Sequence, residues 1–351
     1  MERFSSVEII GSGLIGTSIG LALAQNGVDV SMRDKNPRSE AIARDLVGSK
    51  EILDPDVIIS AVPFSAFADV VSELDRRSFS GVFIDVASIK TKPKAEVSRF
   101  PNLASRFVPS HPMAGREMGG AESARADLFE GRAWIIDASS ADARSIAVAK
   151  ELIAALGAQV VEMESQEHDL AVALVSHLPQ LISSLLASEL HGHPEKWLGL
   201  AGGGLRDSTR IAGSDPALWR EIVSQNSQAI LPLLESISSK LDSLIANIAD
   251  ESFVEAFISS GRDGRALIPG KHGGKAREYT YVPIVIEDKP GQLAAIFEEC
   301  ASVGVNVEDL SIEHSPGQET GLITLALNSS DASKLSEHMK KNGWNVHSPR
   351  S

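Results

Sequence analysis

From Val7 to Ile136, short apolar runs alternate with stretches in which apolar residues recur at helical spacing. Val7-Glu8-Ile9-Ile10, Val28 to Met32, Val57 to Val62, Val82 to Val86 and Arg132 to Ile136 are rich in β-branched residues, end at turn formers and read as strands. Arg106 to Ser110 reads as another, and Ile15 to Gln25 has the period of an amphipathic helix. Strands and helices in alternation predict a parallel sheet covered on both faces, the α/β class. The interval from Asp34 to Asp56 is short for a helix and a full strand, so a trimmed third strand is expected there.

After residue 141 the strand signal fades. Asp142 to Leu156 reads as a helix stopped by Gly157, Gln159 to Met163 as one short strand, and about Gln166 to Leu190 as a long apolar helix. Pro216 to Ile230 and Pro232 to Ile248 are further helical patterns. An all-helical block with so much apolar surface buries it against a second copy, which predicts a homodimer. Residues 262–278, rich in Gly, Lys and Arg, read as a linker. Beyond them Tyr281 to Ile286, Gly291 to Val303, Val305 to His314, Thr320 to Leu327, Ala332 to Asn342 and Trp344 to His347 give the order βαββαβ, the ferredoxin-like arrangement. The expected domains are thus a Rossmann-type nucleotide-binding domain over 1–141, an all-helical dimerisation domain over 142–275 and a small ferredoxin-like domain over 279–351.

Composition adds limits. A chain of 351 residues with 43% hydrophobic and 23% charged residues has the make-up of a globular protein with a sizeable core. Its one cysteine, Cys300, excludes an intramolecular disulfide and fits a reducing compartment, so a cytoplasmic location is expected. Cys300 lies in an apolar helical pattern and is expected to be a small buried side chain rather than a nucleophile. No signal peptide is expected before the first strand, and no run is expected to reach the ~18 apolar residues of a membrane span. The net charge of −14 argues against nucleic acid and anionic membranes as partners. An anionic substrate would need a local cationic pocket. The histidines are dispersed, and His191-Gly192-His193-Pro194 looks like a helix-ending turn, so no metal site is expected.

Two motifs carry chemistry. Gly11-Ser12-Gly13-Leu14-Ile15-Gly16 matches G-x-G-x-x-G between a strand and a helix. The first glycine permits the turn, the second lets the backbone approach a pyrophosphate, and the third lets helix and strand pack closely. Asp34 follows the second strand, where a carboxylate bonds a ribose 2′-hydroxyl and repels a 2′-phosphate. That favours NAD over NADP, although the neighbouring Arg33 could pair a phosphate. The second motif, His111-Pro112-Met113-Ala114-Gly115-Arg116-Glu117, offers a proton acceptor near neutral pH. An oxidant and a base together suggest oxidation of an alcohol or enol.

These pieces, continued by Asp85-Val86-Ala87-Ser88-Ile89-Lys90, Ser176-His177-Leu178-Pro179 and Gly203-Gly204-Leu205-Arg206-Asp207-Ser208-Thr209-Arg210-Ile211-Ala212, occur in an order that resembles the TyrA family of prephenate, arogenate and cyclohexadienyl dehydrogenases over about residues 7–260. The resemblance implies oxidative decarboxylation of a 4-hydroxycyclohexadiene in tyrosine synthesis, with aromatisation as the driving force. It implies that His111 accepts the hydrogen bond of the C4 hydroxyl and that Ser88 orients the hydroxyl or the imidazole. It also implies a cofactor site built on Gly11, Gly13, Leu14, Ile15, Gly16, Asp34 and Val62. Arg210 is the candidate for a substrate carboxylate, because guanidinium binds carboxylate bidentately. Arg206 shares its face if the segment is helical, and Asp207 with Glu117 could hold both arginines in an ion network. His177 and Gln180 lie three apart on the long helix and could both face the substrate. The family pattern His-Leu-Pro-His departs here at Gln180, whose neutral amide would tolerate the ammonium of arogenate as well as the side chain of prephenate.

Asp288-Lys289-Pro290-Gly291-Gln292-Leu293 and Gly304-Val305-Asn306-Val307 resemble an ACT domain. This implies an amino-acid effector, tyrosine or a relative, held at Asp288, Gly291, Gln292 and Leu293 with Asn306 on a partner strand, or else a purely structural pairing module. Two other readings compete. A β-hydroxyacid dehydrogenase needs a lysine on its helical domain, and from Gly157 to Ser239 only Lys196 is available, in a loop-like setting. A non-enzymatic sensor of NAD and amino acids would have no need of His111.

Overall fold

The computed structural model describes residues 4–115, 118–268, 279–287, 289–314 and 320–349. It divides into two compact units, Met1–Lys240 and Leu241–Ser351.

The first unit opens with β1 (Ser6–Ile10), α1 (Leu14–Gln25), β2 (Asp29–Arg33), α2 (Pro37–Val47), β3 (Val57–Ser60), α3 (Phe64–Arg76), β4 (Val82–Asp85), α4 (Thr91–Val97), α5 (Pro101–Ala104) and β5 (Phe107–Val108). All five strands are parallel, in the order β2-β1-β3-β4-β5. β3 and β4 are buried along their whole length because both faces are covered. Alternate side chains explain how. Ile9, Ile59 and Ile84 join α1 and α2 in one core, whereas Ile58, Phe83 and Phe107 join α3 to α5 in another. Local chemistry sets the helix ends: Asn36 caps α2 by accepting from the N–H groups of Arg38 and Ser39, Pro37 follows it, and Gly48 closes the helix at φ 68°. The expected trimmed third strand is absent. Among the described residues from 34 to 56 the chain spends its length on the full helix α2 and returns directly to β3 beside β1.

The run Arg106 to Ser110 is broken at Pro109 into β5 and a second strand, β6 (Ser110–Pro112). β6 pairs antiparallel with β7 (Ala133–Ile136), which pairs parallel with β8 (Gln159–Glu162). His111, one residue past the run expected to be a strand, therefore lies within a strand itself, opposite Ile135. Helix α6 (Ala143–Ala155) is capped by Asp142. Its Val148, Ala149, Leu152 and Ile153 are buried in the same core as Ile9 and Ile59. Residues 143–162 thus complete the first core instead of starting the helical block, a departure caused by an amphipathic helix that packs on a sheet whose other strands precede it.

The helical block starts at α7 (Ser165–Val172), passes through a π turn at Ala173–His177 and continues as α8 (Leu178–Ser188). Pro179 has no N–H to return to the preceding turn and crowds it, and the widened turn accommodates this. Among the described residues this one helix, Ser165–Ser188, is long and apolar enough to cross a membrane, contrary to the expectation from the sequence. His168, Asp169, His177 and Gln180 are buried along it, while Leu170, Leu174, Val175, Leu185 and Leu186 are exposed. Then follow α9 (Glu195–Leu198), α10 (Gly203–Thr209), a 3-10 turn at Arg210–Gly213, α11 (Pro216–Gln225) and α12 (Ser227–Ala246), which runs on into the second unit.

The second unit holds α13 (Glu251–Ala266), which occupies the beginning of the stretch expected to be a linker. It continues with β9 (Thr280–Glu287), α14 (Gln292–Ser302), β10 (Asp309–His314), β11 (Thr320–Leu327), α15 (Ser329–Lys341) and β12 (Asn345–Val346). The sheet order β10-β11-β9-β12, with antiparallel pairs throughout, is ferredoxin-like as expected. Cys300 is buried with Ile284, Ile296 and Leu335 in its core. Asn306 precedes β10 instead of lying on it.

Candidate active site

β2 and β3 lie on opposite sides of β1, so the chain leaves β1 at the point where strand order reverses, the usual place for a ligand in such a sheet. A cleft of about 930 Å³ opens there, lined by Gly11, Gly13, Ile15, Asp34, Val62 and Ser88 among others. Leu14 and Gly16, also expected at the cofactor, are buried beneath it. Gly11 sits at φ +112°, and a Cβ there would fall 2.4 Å from the Ala61 carbonyl oxygen. A Cβ on Gly16 would fall 2.0 Å from the Gly11 carbonyl oxygen. At Gly13 it would meet nothing within 4 Å. Two glycines are thus demanded by the protein's own packing, while Gly13 alone leaves open space, which fits the close approach of a pyrophosphate.

The Asp34 carboxylate accepts from the N–H of Ser12 at 2.6 Å and of Asn36 at 2.8 Å, which aims it along the rim of the cleft. Arg33 is already engaged. Its Nε lies 3.2 Å from Glu8 and its Nη1 2.6 Å from Glu73, and Arg77 bonds the same two carboxylates. The guanidinium that could have met a 2′-phosphate lines the same cleft but is already paired with these two carboxylates.

Next to the cleft lies a buried polar core. Asp85, at the end of β4, and Lys90 are both fully buried and form an ion pair. Burial pushes the Asp85 carboxyl up and the Lys90 ammonium down, each opposed by the charge of the other. Lys90 Nζ also donates to the Ser110 carbonyl at 2.6 Å, and the Ser110 N–H donates to Asp85 at 3.0 Å. The Ser110 hydroxyl donates to the Asp85 carbonyl at 2.6 Å and accepts from the Trp134 indole at 3.0 Å. These bonds fix the start of β6 against the end of β4. His111 follows Ser110 directly, and Ser88 stands three residues after Asp85.

His111 Nδ1 lies 2.9 Å from His168 Nε2, and His168 Nδ1 lies 2.8 Å from Asp169 Oδ1. Asp169 also accepts from the backbone N–H groups of Lys90 at 2.7 Å and Thr91 at 2.9 Å. Burial alone would raise the Asp169 carboxyl, but these donors, His168 foremost, hold it below the usual range. Burial drives the His111 imidazole well below its ordinary value, helped by the nearby His168, Lys90 and His177. His111 is therefore neutral at pH 7. His177, one helix turn and a π turn further on, is buried, and burial lowers it to about 4. Asn226 Nδ2 bonds His177 Nδ1 at 3.1 Å and donates to the Asp169 carbonyl at 2.7 Å, and the Trp219 ring meets His177 edge-on at 6.0 Å.

The other expected residues are spread around this centre. Gln180 is buried, its amide bonded to Ser184 at 3.3 Å and reached by the Ser214 hydroxyl at 3.4 Å. Arg206 on α10 and Arg210 on the turn after it are exposed in the single chain. Glu117 and Asp288 lie outside the described residues. In the second unit, Gly291 caps α14 at φ 91°, Gln292 and Leu293 form the first turn, and Asn306 donates to Glu308 at 3.2 Å. Sequence reasoning missed His168, Asp169, Asp85 and Lys90 as parts of the site. The available signal was weak: His168 and Asp169 close the polar run Ser165 to Asp169 that opens an apolar helix, nine and eight residues before His177.

A nucleotide cleft at the switch point of a parallel sheet, together with a neutral histidine bonded to a helix-borne histidine on a strand tied to the end of β4, defines an NAD-dependent dehydrogenase. Residues 19–162 match the family model for the prephenate dehydrogenase nucleotide-binding domain and residues 164–258 that for its dimerization domain. The "Probable prephenate dehydrogenase NovF" of Streptomyces niveus is 31% identical over 97% of this chain and 99% of its own length. The cyclohexadienyl dehydrogenase of Zymomonas mobilis is also 31% identical, over 76% of this chain and 97% of its own. The crystal structure of the Aquifex aeolicus prephenate dehydrogenase, in complex with hydroxyphenyl propionate and NAD+, superposes with a TM-score of 0.67 at 27% identity and covers 76% of this chain and 99% of that one. The chain belongs to the prephenate dehydrogenase family.

Proposed function

We propose that this enzyme oxidatively decarboxylates prephenate to 4-hydroxyphenylpyruvate, with His111 as the group that accepts the hydrogen bond of the reacting hydroxyl. The observation that carries the role is a neutral, half-buried imidazole bonded through Nδ1 to His168, on a strand whose first residue, Ser110, is bonded to Asp85, three residues before Ser88 of the cleft wall. Bound NAD+ supplies the hydride acceptor. As hydride leaves C4 of the substrate, carbonyl character builds there, and an imidazole that pulls on the hydroxyl proton lowers the barrier. The C1–carboxylate bond then breaks, its electron pair enters the ring, and the proton stays with the phenolic oxygen. Ser88 orients the hydroxyl from the cleft wall. Arg210, with Arg206 beside it, takes the carboxylates, while His177 and Gln180 shape the far wall. Gln180 supports a second reading, since its neutral amide suits the ammonium of arogenate as well as the keto acid.

The exposed leucines of α7 and α8 support a homodimer through the helical domain. Domain limits near residues 162 and 268 follow from the first core and the end of α13. The ferredoxin-like domain serves as an ACT-type sensor, with tyrosine bound at Asp288, Gly291, Gln292, Leu293 and Asn306. A steady-state assay of prephenate against arogenate, each with NAD+ and NADP+, tests the assignment. Turnover of prephenate with NAD+ supports it, and turnover of neither substrate rejects it. Tyrosine titrated into the full chain by calorimetry tests the sensor, which an absence of heat rejects.

A further inference from the structure

The reading of His111 as an acceptor requires one particular tautomer, and the structure contains a means of selecting it. We infer that His168, which no part of the family assignment singles out, is a positioning residue that fixes the tautomer of His111 through the chain Asp169–His168–His111. The inference rests on the acceptor role of His111, and the logic is one of donors and acceptors.

Asp169 accepts two backbone N–H bonds, from Lys90 and Thr91, and as a carboxylate it has nothing to donate. His168 Nδ1, at 2.8 Å, must therefore be the donor of that pair. The inferred relay is one of neutral imidazoles: with its single N–H used on Asp169, His168 presents a lone pair at Nε2. That lone pair faces His111 Nδ1 at 2.9 Å, so His111 Nδ1 must carry the hydrogen. His111 Nε2 is left as the bare nitrogen, the atom able to accept from a substrate hydroxyl. The rings stand edge to face, 5.1 Å apart and at 75°, and His168 is fully buried, so water does not compete for the link. Without His168, both tautomers of His111 are accessible, and the one with hydrogen on Nε2 donates where it has to accept. A dehydrogenase that builds a carbonyl then loses the interaction only in the transition state, which lowers kcat and leaves binding nearly intact.

Two variants and one spectrum test this in the intact enzyme. H168L removes the acceptor, and H168Q keeps an amide oxygen that can accept from His111 Nδ1. The expected result is a fall in kcat of ~10²-fold or more in H168L, as when a histidine base loses the group that sets its tautomer. KM for substrate and the Kd for NAD+ stay within about threefold, and H168Q recovers about tenfold or more of the lost kcat. In long-range proton–nitrogen NMR spectra of the ligand-free unsubstituted protein, His111 shows its hydrogen on Nδ1, and in H168L the signal moves toward Nε2. Hydrogen on Nε2 in the unsubstituted protein overturns the inference, as does a folded H168L with kcat within about threefold of the original. If H168L does not fold, the spectrum and H168Q decide. If H111N retains full turnover, the acceptor reading fails, and the tautomer measurement still stands or falls separately.

Discussion

Acid should destabilise this protein through His177 in a measurable amount. The side chain is 2% exposed, and burial lowers its pKa from 6.5 to about 4. In the unfolded chain it titrates near 6.5, so the unfolded state binds the proton first as pH falls. The stabilising effect is complete above about pH 6.5 and is lost as pH drops from there through the folded value near 4. Each tenfold difference in proton affinity between the two states is worth ~1.4 kcal/mol, and at pH 4 the folded group is half protonated, so the cost between pH 7 and pH 4 is about 3 kcal/mol. Many carboxylates titrate in the same window, so the effect has to be isolated by difference. H177Q loses the Asn226 contact at every pH but takes up no proton. Urea unfolding of the unsubstituted protein and of H177Q, followed by tryptophan fluorescence because Trp219 touches the ring, gives the stability gap at each pH. The gap should shift by about 3 kcal/mol against the unsubstituted protein between pH 7 and 4. A gap that does not change with pH, or an NMR titration midpoint for His177 near 6.5, would refute the reasoning.

Three further outcomes follow from the cofactor cleft and from His111. Gly11→Ala should destabilise the fold by ~2 kcal/mol or more, seen as a lower melting temperature, whereas Gly13→Ala should melt unchanged yet bind NAD+ ~10-fold or more weakly in calorimetry, because only the second Cβ meets open space. Removing the carboxylate in Asp34→Asn should raise the NADP+ to NAD+ preference ~10- to 10³-fold, from ~1 to ~4 kcal/mol of relieved repulsion, read from kcat/KM with each cofactor. Because burial holds His111 well below 6.5, kcat/KM should be level from pH 8 to below 6.5 and fall only in stronger acid, where the imidazole gains a proton; an acid limb centred at or above 6.5 contradicts this.

The parallel sheet, the ferredoxin-like order and the nucleotide fingerprint were legible because each rests on local periodicity or on glycines with a backbone task. The helix Asp142 to Leu156 was legible as a helix but not as part of the first core, since amphipathicity says that a face is buried and not against what. His111 was legible by its neighbours in sequence, but its strand was not, because Pro109 lets the chain change sheets at Ser110. The polar core was not legible as a core, although Asp85 and Lys90 stood in a motif that carried the family resemblance. Asp85, Lys90, His168 and Asp169 come from two distant segments, and nothing in either segment announces the other. Arg33 shows the same limit: sequence placed it beside Asp34 as a possible phosphate ligand, and only the fold brings Glu8 and Glu73 to it.

The most direct test of the account is H111N, assayed for NAD+ binding by calorimetry and for prephenate turnover by NADH absorbance. The amide keeps most of the shape but has no basic nitrogen. NAD+ affinity should hold while kcat falls by ~10²- to 10⁴-fold. Turnover close to that of the unsubstituted enzyme would contradict the claim that a neutral His111 drives the oxidation.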